Sequence, residues 1–167
     1  ASGSVANGSS CGPDAIHPEL GTMEDFQAFV AACKLLDMEV ALDIAVQCSL
    51  DHPWLTEHPD WFKRRPDGSM KYAENPPKRY EDIVNPDFSS ADAGALWNAL
   101  RDVVLFWIDQ GVKIFRVANP HTKPFGFWDC MIHPVQLQHP HVIFLAEPFT
   151  RPELTTGLPS HAFTPPY

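Results

Sequence analysis

No stretch of this 167-residue chain is long and apolar enough to cross a membrane, and its first residues lack the basic-then-apolar pattern of an export signal. Positive charge is scarce: 12 Lys and Arg stand against 21 Asp and Glu, a formal net charge of -9. An acidic surface repels polyanions, which argues against nucleic acid or an anionic membrane as partner. Cysteine is sparse as well. Cys11, Cys33, Cys48 and Cys130 are scattered without a C-x-x-C pair, so free thiols in a reduced, cytoplasmic setting are expected. The spacings of His121, His139 and His141 match no common zinc pattern, and no metal or organic cofactor is implied. No internal repeat at solenoid spacing is present.

What the chain does contain is 44% apolar residues, enough for a core in one domain, and 17 prolines that punctuate its loops. Residues 1–21, rich in Gly, Ser and Pro, read as loop. Thr22 is a plausible N-cap for a helix over 22–37, with Phe26, Phe29, Val30, Cys33 and Leu36 on one stripe read as core. The run 40–46 carries one acid, Asp43, in continuous apolar text, which predicts a strand buried on both faces. A second helix is expected over 91–110, with Leu96, Leu100, Val103, Val104 and Trp107 inward and Gly111 as its stop. A strand over 113–117, a short helix over 125–132 and a strand over 142–146 follow. Alternation of this kind implies right-handed crossovers and a parallel sheet. The segment 47–89, dense in Pro, His, Trp and charge, is too long for a simple connection; it is either a functional excursion or a small subdomain. Three strands do not close a barrel, so the chain reads as either a small open α/β domain or, preferably, a segment of a (β/α)8 barrel.

Strand ends of a parallel barrel open on one face, where catalytic groups collect. Here they supply Asp43 and Gln47, then Arg116 with Asn119, then Glu147. A retaining glycosidase needs two carboxyls, a nucleophile and a general acid/base. Glu147 suits the acid, with partly apolar surroundings expected to raise its pKa. Arg116 can hold a neighbouring carboxylate ionised and oriented. Asp43 reads equally as a deep structural acid paired with Arg116 and as a substrate contact. Trp54 and Trp61 suit either sugar stacking or loop packing. Lys63, Arg64 and Arg65 read as a solvated loop face. Ala118 lies where this chemistry places a carboxylate.

Asp43 with Gln47, the segment Phe115-Arg116-Val117-Ala118-Asn119 and Leu145-Ala146-Glu147 resemble the first three of four motifs of the α-amylase superfamily (glycoside hydrolase family 13). Longer stretches are similar to its maltose-1-phosphate-dependent glucan maltosyltransferases: His17 to Thr22, Gln47 to Ser49, Asp51 to Trp54, Ala73 to Tyr80, Asn119 to Pro124 and Phe149 to Pro152. The resemblance implies an α/β fold, a partial TIM barrel of about strands 3 to 5 with a long loop after strand 3. Residues 1–167 then form one fragment of a catalytic barrel domain, in which 47–89 is an excursion carrying the phosphate-contact segment. It also implies roles. Glu147 is the general acid/base, Arg116 orients the nucleophile, and Asn119 helps hold the donor. Gln47 and Asp82 line the sugar site, while Asn75, Lys78 and Tyr80 contact the phosphate leaving group.

By the same resemblance, the partners are maltose 1-phosphate, an α-1,4-glucan acceptor and inorganic phosphate, with a homodimer left open for the parent. Two departures stand out. Members of the superfamily carry the aspartate nucleophile at the position of Ala118, and the fourth motif is missing. A methyl group cannot attack an anomeric carbon, so this copy is expected to be inactive. Ala118 reads equally as an engineered or a natural change. The alternatives are an α-glucan hydrolase of the superfamily and a non-catalytic carbohydrate-binding remnant.

Overall fold

The computed structural model describes residues 13–75, 78–147 and 163, with the backbone alone for 74, 75, 78 and 79. The fold is α/β. Its main sheet holds β1 (Ala41–Ile44), β5 (Ile114–Ala118) and β6 (Ile143–Glu147) in the order β1-β5-β6, all parallel. Between β1 and β5 the chain forms a second, antiparallel sheet ordered β2-β4-β3, from β2 (Cys48–Ser49), β3 (Tyr72–Asn75) and β4 (Lys78–Val84). The excursion thus has secondary structure of its own, including the short α2 (Trp54–Glu57) and a 3-10 turn at Pro59–Trp61.

One face of the main sheet is sealed by helices. Phe115, Val117 and Phe144 are fully buried and share a core with α3 (Ala93–Asp109) and α4 (Phe125–Gln138). From α3 come Leu96, Leu100, Val104 and Ile108, spaced four apart and therefore on one stripe. The sequence pattern misses Ile108, while Val103 and Trp107 are only partly covered. The excursion is fastened to the same core. Trp61 is buried, its indole N–H donating to Asp92 Oδ2 at 2.9 Å, and Trp54 packs edge-on against it. Both tryptophans therefore pack the excursion. In the basic run, Lys63 pairs with Asp87 at 3.2 Å and Arg65 lies over the Tyr72 ring.

Three sequence expectations need correction. The first concerns α1 (Met23–Leu35), which begins at Thr22 as expected, in a capping box. The Asp25 N–H donates to Thr22 Oγ1 at 3.2 Å, and the Thr22 N–H donates to Asp25 Oδ2 at 2.8 Å. Its stripe is not core throughout: Cys33 is buried, but Phe29 is 55% and Leu36 69% exposed. The helix meets the rest of the fold along the end of α3, where Phe26 packs on Trp107 and Gln27 donates to Gln110. Gly111, at φ 97°, lets the chain turn there; a Cβ on it would come within 2.9 Å of Val30 Cγ1. Beyond that contact, no described element covers the far side of α1.

The second correction is to β1, which is buried on one face only: Ala41 is exposed and Asp43 partly exposed. Among the described residues it is an edge strand with an open inner face. The third is to α4, which runs to Gln138 through Pro134, past the expected stop at 132. Proline in a helix interior costs about 3 kcal/mol. Full burial of Val135 on the same stripe as Phe127, Trp128, Met131 and Ile132 offsets much of that, at roughly 1.5–3 kcal/mol per large side chain.

Candidate active site

Register decides which side chains of a parallel sheet stand together. Asp43 is level with Arg116 and Arg116 with Leu145; two residues on, Ala118 is level with Glu147. Successive residues point to opposite faces, so Asp43, Arg116, Ala118 and Glu147 share the open face, opposite the sealed layer of Phe115, Val117 and Phe144.

Arg116 links the row. Its Nη1 donates to Asp43 Oδ1 at 3.0 Å and its Nη2 donates to Glu147 Oε1. The three side chains are 42%, 25% and 27% exposed, so the network is open to a ligand. The hydrogen bond to Asp43, with the attraction of both carboxylates, holds the guanidinium above its ordinary value. Two expectations change here. Asp43 is not deep, and Glu147 lies against a cation, where partly apolar surroundings were expected. With a methyl group at 118, the guanidinium bonds the two acids of the row, Asp43 and Glu147.

The turn after β5 extends the site. Asn119 is left-handed (φ 49°), a conformation asparagine tolerates. Its N–H donates to the Glu147 carbonyl at 3.2 Å, and its carbonyl accepts from Thr122 Oγ1 at 2.8 Å. A 3-10 turn at Pro120–Thr122 follows, locked by the Trp128 indole N–H donating to the Pro120 carbonyl.

Gln47 is partly buried where the chain leaves β1 for the excursion. It follows Val46, a buried, β-branched residue at φ 47°, the kind of backbone strain that costs about 1–3 kcal/mol and tends to mark functional sites. Tyr80 and Asp82 lie two apart on β4, exposed on one face. Asn75 and Lys78 are level across the β3–β4 hairpin, so the segment expected to contact phosphate lies at its tip; their side chains lie outside the described residues. So do 148–162, which include the Phe149 to Pro152 stretch. The structure therefore joins Asp43, Arg116, Ala118, Asn119 and Glu147 in one site. Gln47, Tyr80 and Asp82 stand on or beside the second sheet, and among the described residues no hydrogen bond ties them to Arg116.

Two residues escape sequence reasoning. Lys123 is 6% exposed, with Nζ donating to the Ala45 carbonyl at 3.1 Å, and burial lowers its pKa to about 8. His52 is buried, its Nδ1 accepting from the Trp54 N–H at 3.1 Å, while Nε2 has no partner among the described residues; burial pushes its pKa down. Nothing in a one-letter pattern separates a buried lysine from a solvated one. The hint is position, since Lys123 follows a strand end and precedes a proline. Among the described residues, no group of three or more His, Cys, Asp or Glu is placed to hold a metal.

No family model matches the chain. Curated relatives do. The α-1,4-glucan:maltose-1-phosphate maltosyltransferase of Burkholderia pseudomallei is 62% identical over 157 residues, 93% of this chain and 14% of that protein. The enzymes of the same name from Cereibacter sphaeroides and Chlorobaculum tepidum are 63% and 58% identical over 147 and 156 residues, covering 25% and 23% of their lengths. The chain thus spans a quarter or less of these relatives. Among solved structures, an α-amylase from Lactobacillus plantarum superposes with a TM-score of 0.70 at 30% identity, over 85% of this chain and 34% of that one. A maltogenic α-amylase from Thermotoga neapolitana, at 23% identity, shares the fold alone, with a TM-score of 0.68 over 92% of this chain and 36% of that one. Along about nine-tenths of its length the chain therefore resembles the α-1,4-glucan:maltose-1-phosphate maltosyltransferases, on a fold shared with the α-amylases.

Proposed function

We propose that the chain is the section from about the third to the fifth strand of the (β/α)8 barrel of a maltose-1-phosphate-dependent glucan maltosyltransferase. In this reading 1–167 is one fragment of the catalytic domain and 47–89 its phosphate-contacting excursion. The observation that carries the reading is the level pairing of Ala118 with Glu147 on one open face, beside Arg116. Adjacent strands lie about 4.7–4.9 Å apart, so a carboxylate at 118 would stand near the separation of about 5–5.5 Å that retaining enzymes require.

The reaction that the name of the relatives implies fits that spacing. In the complete site a carboxylate at 118 attacks the anomeric carbon of maltose 1-phosphate, breaking its bond to the phosphate oxygen, and Glu147 protonates that oxygen as phosphate leaves. Glu147 then takes the proton from a glucan 4-hydroxyl, which attacks the anomeric carbon and releases residue 118. Arg116 holds the nucleophile ionised, Asn119 and Gln47 help hold the sugar with Asp43 and Asp82, and Asn75, Lys78 and Tyr80 receive the phosphate. A cytoplasmic location suits the free Cys33, Cys48 and Cys130.

With Ala118 the first bond cannot form, so the Ala118 protein binds donor without turning it over. Ala118 also favours a second reading, a non-catalytic carbohydrate-binding protein. Ala118→Asp in the intact polypeptide that carries this segment separates the two. Phosphate release from maltose 1-phosphate with maltohexaose present should rise by several orders of magnitude. A folded Ala118→Asp protein with no phosphate release refutes the transferase reading. Release that needs no glucan, and water as the acceptor, would make it a hydrolase instead.

A further inference from the structure

Two elements that leave the main sheet cross just beyond it. After β5 the chain makes the left-handed Asn119 and the 3-10 turn Pro120–Thr122, ending at Lys123. After β1 it passes Ala45 and makes the left-handed Val46 before Gln47. The first turn is tied to β6 through the Asn119 N–H on the Glu147 carbonyl. It is tied to β1 through Lys123, whose Nζ donates to the Ala45 carbonyl from a nearly sealed position.

A lysine head group is rarely sealed away from water unless something holds it there, since desolvating it is costly. The one described hydrogen bond of this head group falls on the carbonyl directly before the strained residue. Val46 has no intrinsic reason to be left-handed: it is β-branched, for which that conformation is a genuine outlier. Strain of this kind persists only where the surroundings over-determine it. Two constraints are visible. The Val46 side chain is buried in the core cluster, and the preceding peptide is held by a charged donor.

We propose that Lys123 is a positioning residue, which clamps the Ala45 carbonyl and so maintains the left-handed turn at Val46 that sets Gln47 at the mouth of the site. This rests on the reading above only for the claim that Gln47 meets sugar; the clamp itself does not. It couples the loop that follows residue 118 to the loop that opens the excursion, so the two sides of the site are set together. His121, in the same turn, has its Nδ1 buried without a partner among the described residues, and burial and then the Lys123 charge lower its pKa. The turn is thus electrostatically occupied by one cation, and a second charge there is disfavoured.

The test uses Lys123→Met, which keeps the apolar stem and removes the donor. In the labelled protein, the three-bond coupling between the amide and α protons of Val46 should move from its left-handed value to that of extended backbone. Gln47→Ala should weaken maltose 1-phosphate binding at least tenfold in the native background and less than twofold in Lys123→Met. A merely structural lysine would lower the melting temperature while leaving the Val46 coupling and the Gln47→Ala effect intact, which overturns the proposal. If the native protein binds no maltose 1-phosphate, the functional reading fails and the Val46 coupling alone judges the clamp. If Lys123→Met does not fold, exchange of the Lys123 ammonium protons in the native protein decides. Exchange much slower than at Lys71 supports the clamp, and equal exchange overturns it.

Discussion

The two faces of the main sheet are built by the same strands and could hardly differ more. On one, Phe115, Val117 and Phe144 are wholly buried under α3 and α4. On the other, one position along each strand, stand Asp43, Arg116, Ala118 and Glu147, partly open to solvent. A strand alternates its side chains with period two, so a five-residue run can serve stability with one set and chemistry with the other. Stability and function are therefore separable by register here, and substitutions on the two faces should read out differently.

The largest expected effect on stability comes from the sealed face. Phe115→Ala removes a fully buried ring stacked near Phe144 and should cost about 3–5 kcal/mol in chemical denaturation. Leu145→Ala, on the open face, should cost well under half as much. Equal losses would mean that the open face is also core, and the comparison would collapse.

A smaller effect concerns Lys123. Its pKa is lowered from 10.5 to about 8 in the fold, so the unfolded chain holds the proton over a range where the folded one releases it. Stability should then rise with pH from about 8 towards 10.5, the penalty of the buried charge being present below that window. Cys48 works the other way: burial pushes its thiol from 9.0 up to about 12, so above pH 9 the unfolded state gains by ionising. The rise should therefore be clearest between pH 8 and 9, at about 1 kcal/mol. Lys123→Met should abolish it, and Cys48→Ala should extend it to higher pH. Denaturation midpoints measured at half-unit steps across pH 7.5 to 10 check all three.

The smallest effect is expected where the charge is densest. Arg116→Met removes both ion pairs of the open face, yet these are partly solvated and worth less than about 1 kcal/mol of stability. Its consequence should lie in ligand binding, read by calorimetry with maltose 1-phosphate. A loss of several kcal/mol on thermal unfolding would show that the network is structural.

Much of this organisation is legible in the residues. The apolar spacing of 91–110 and the strand runs at 113–117 and 142–146 place the sealed layer, because buried faces repeat at fixed periods. Asp43, Arg116 and Glu147 declare themselves as polar ends of apolar runs, and parallel pairing brings them together. What stays hidden depends on partners distant in sequence. Phe29 and Leu36 fall on an apolar stripe, but only a folded neighbour could cover them, and none of the described elements does. Pro134 suggests a helix end, and burial of Val135 overrides it. The left-handed Val46 and the Lys123 bond to Ala45, 78 residues away, have no local signature at all.

The central claim is that the open face is a sugar-transfer site complete in its described row except at residue 118. Intact-mass analysis tests it most directly. The protein carrying Ala118→Asp is mixed with maltose 1-phosphate without acceptor and quenched in acid. The account predicts a covalent maltosyl adduct that maps to the peptide containing residue 118, and none on the Ala118 protein. An adduct on the native protein, or none on a folded Ala118→Asp variant, would contradict it.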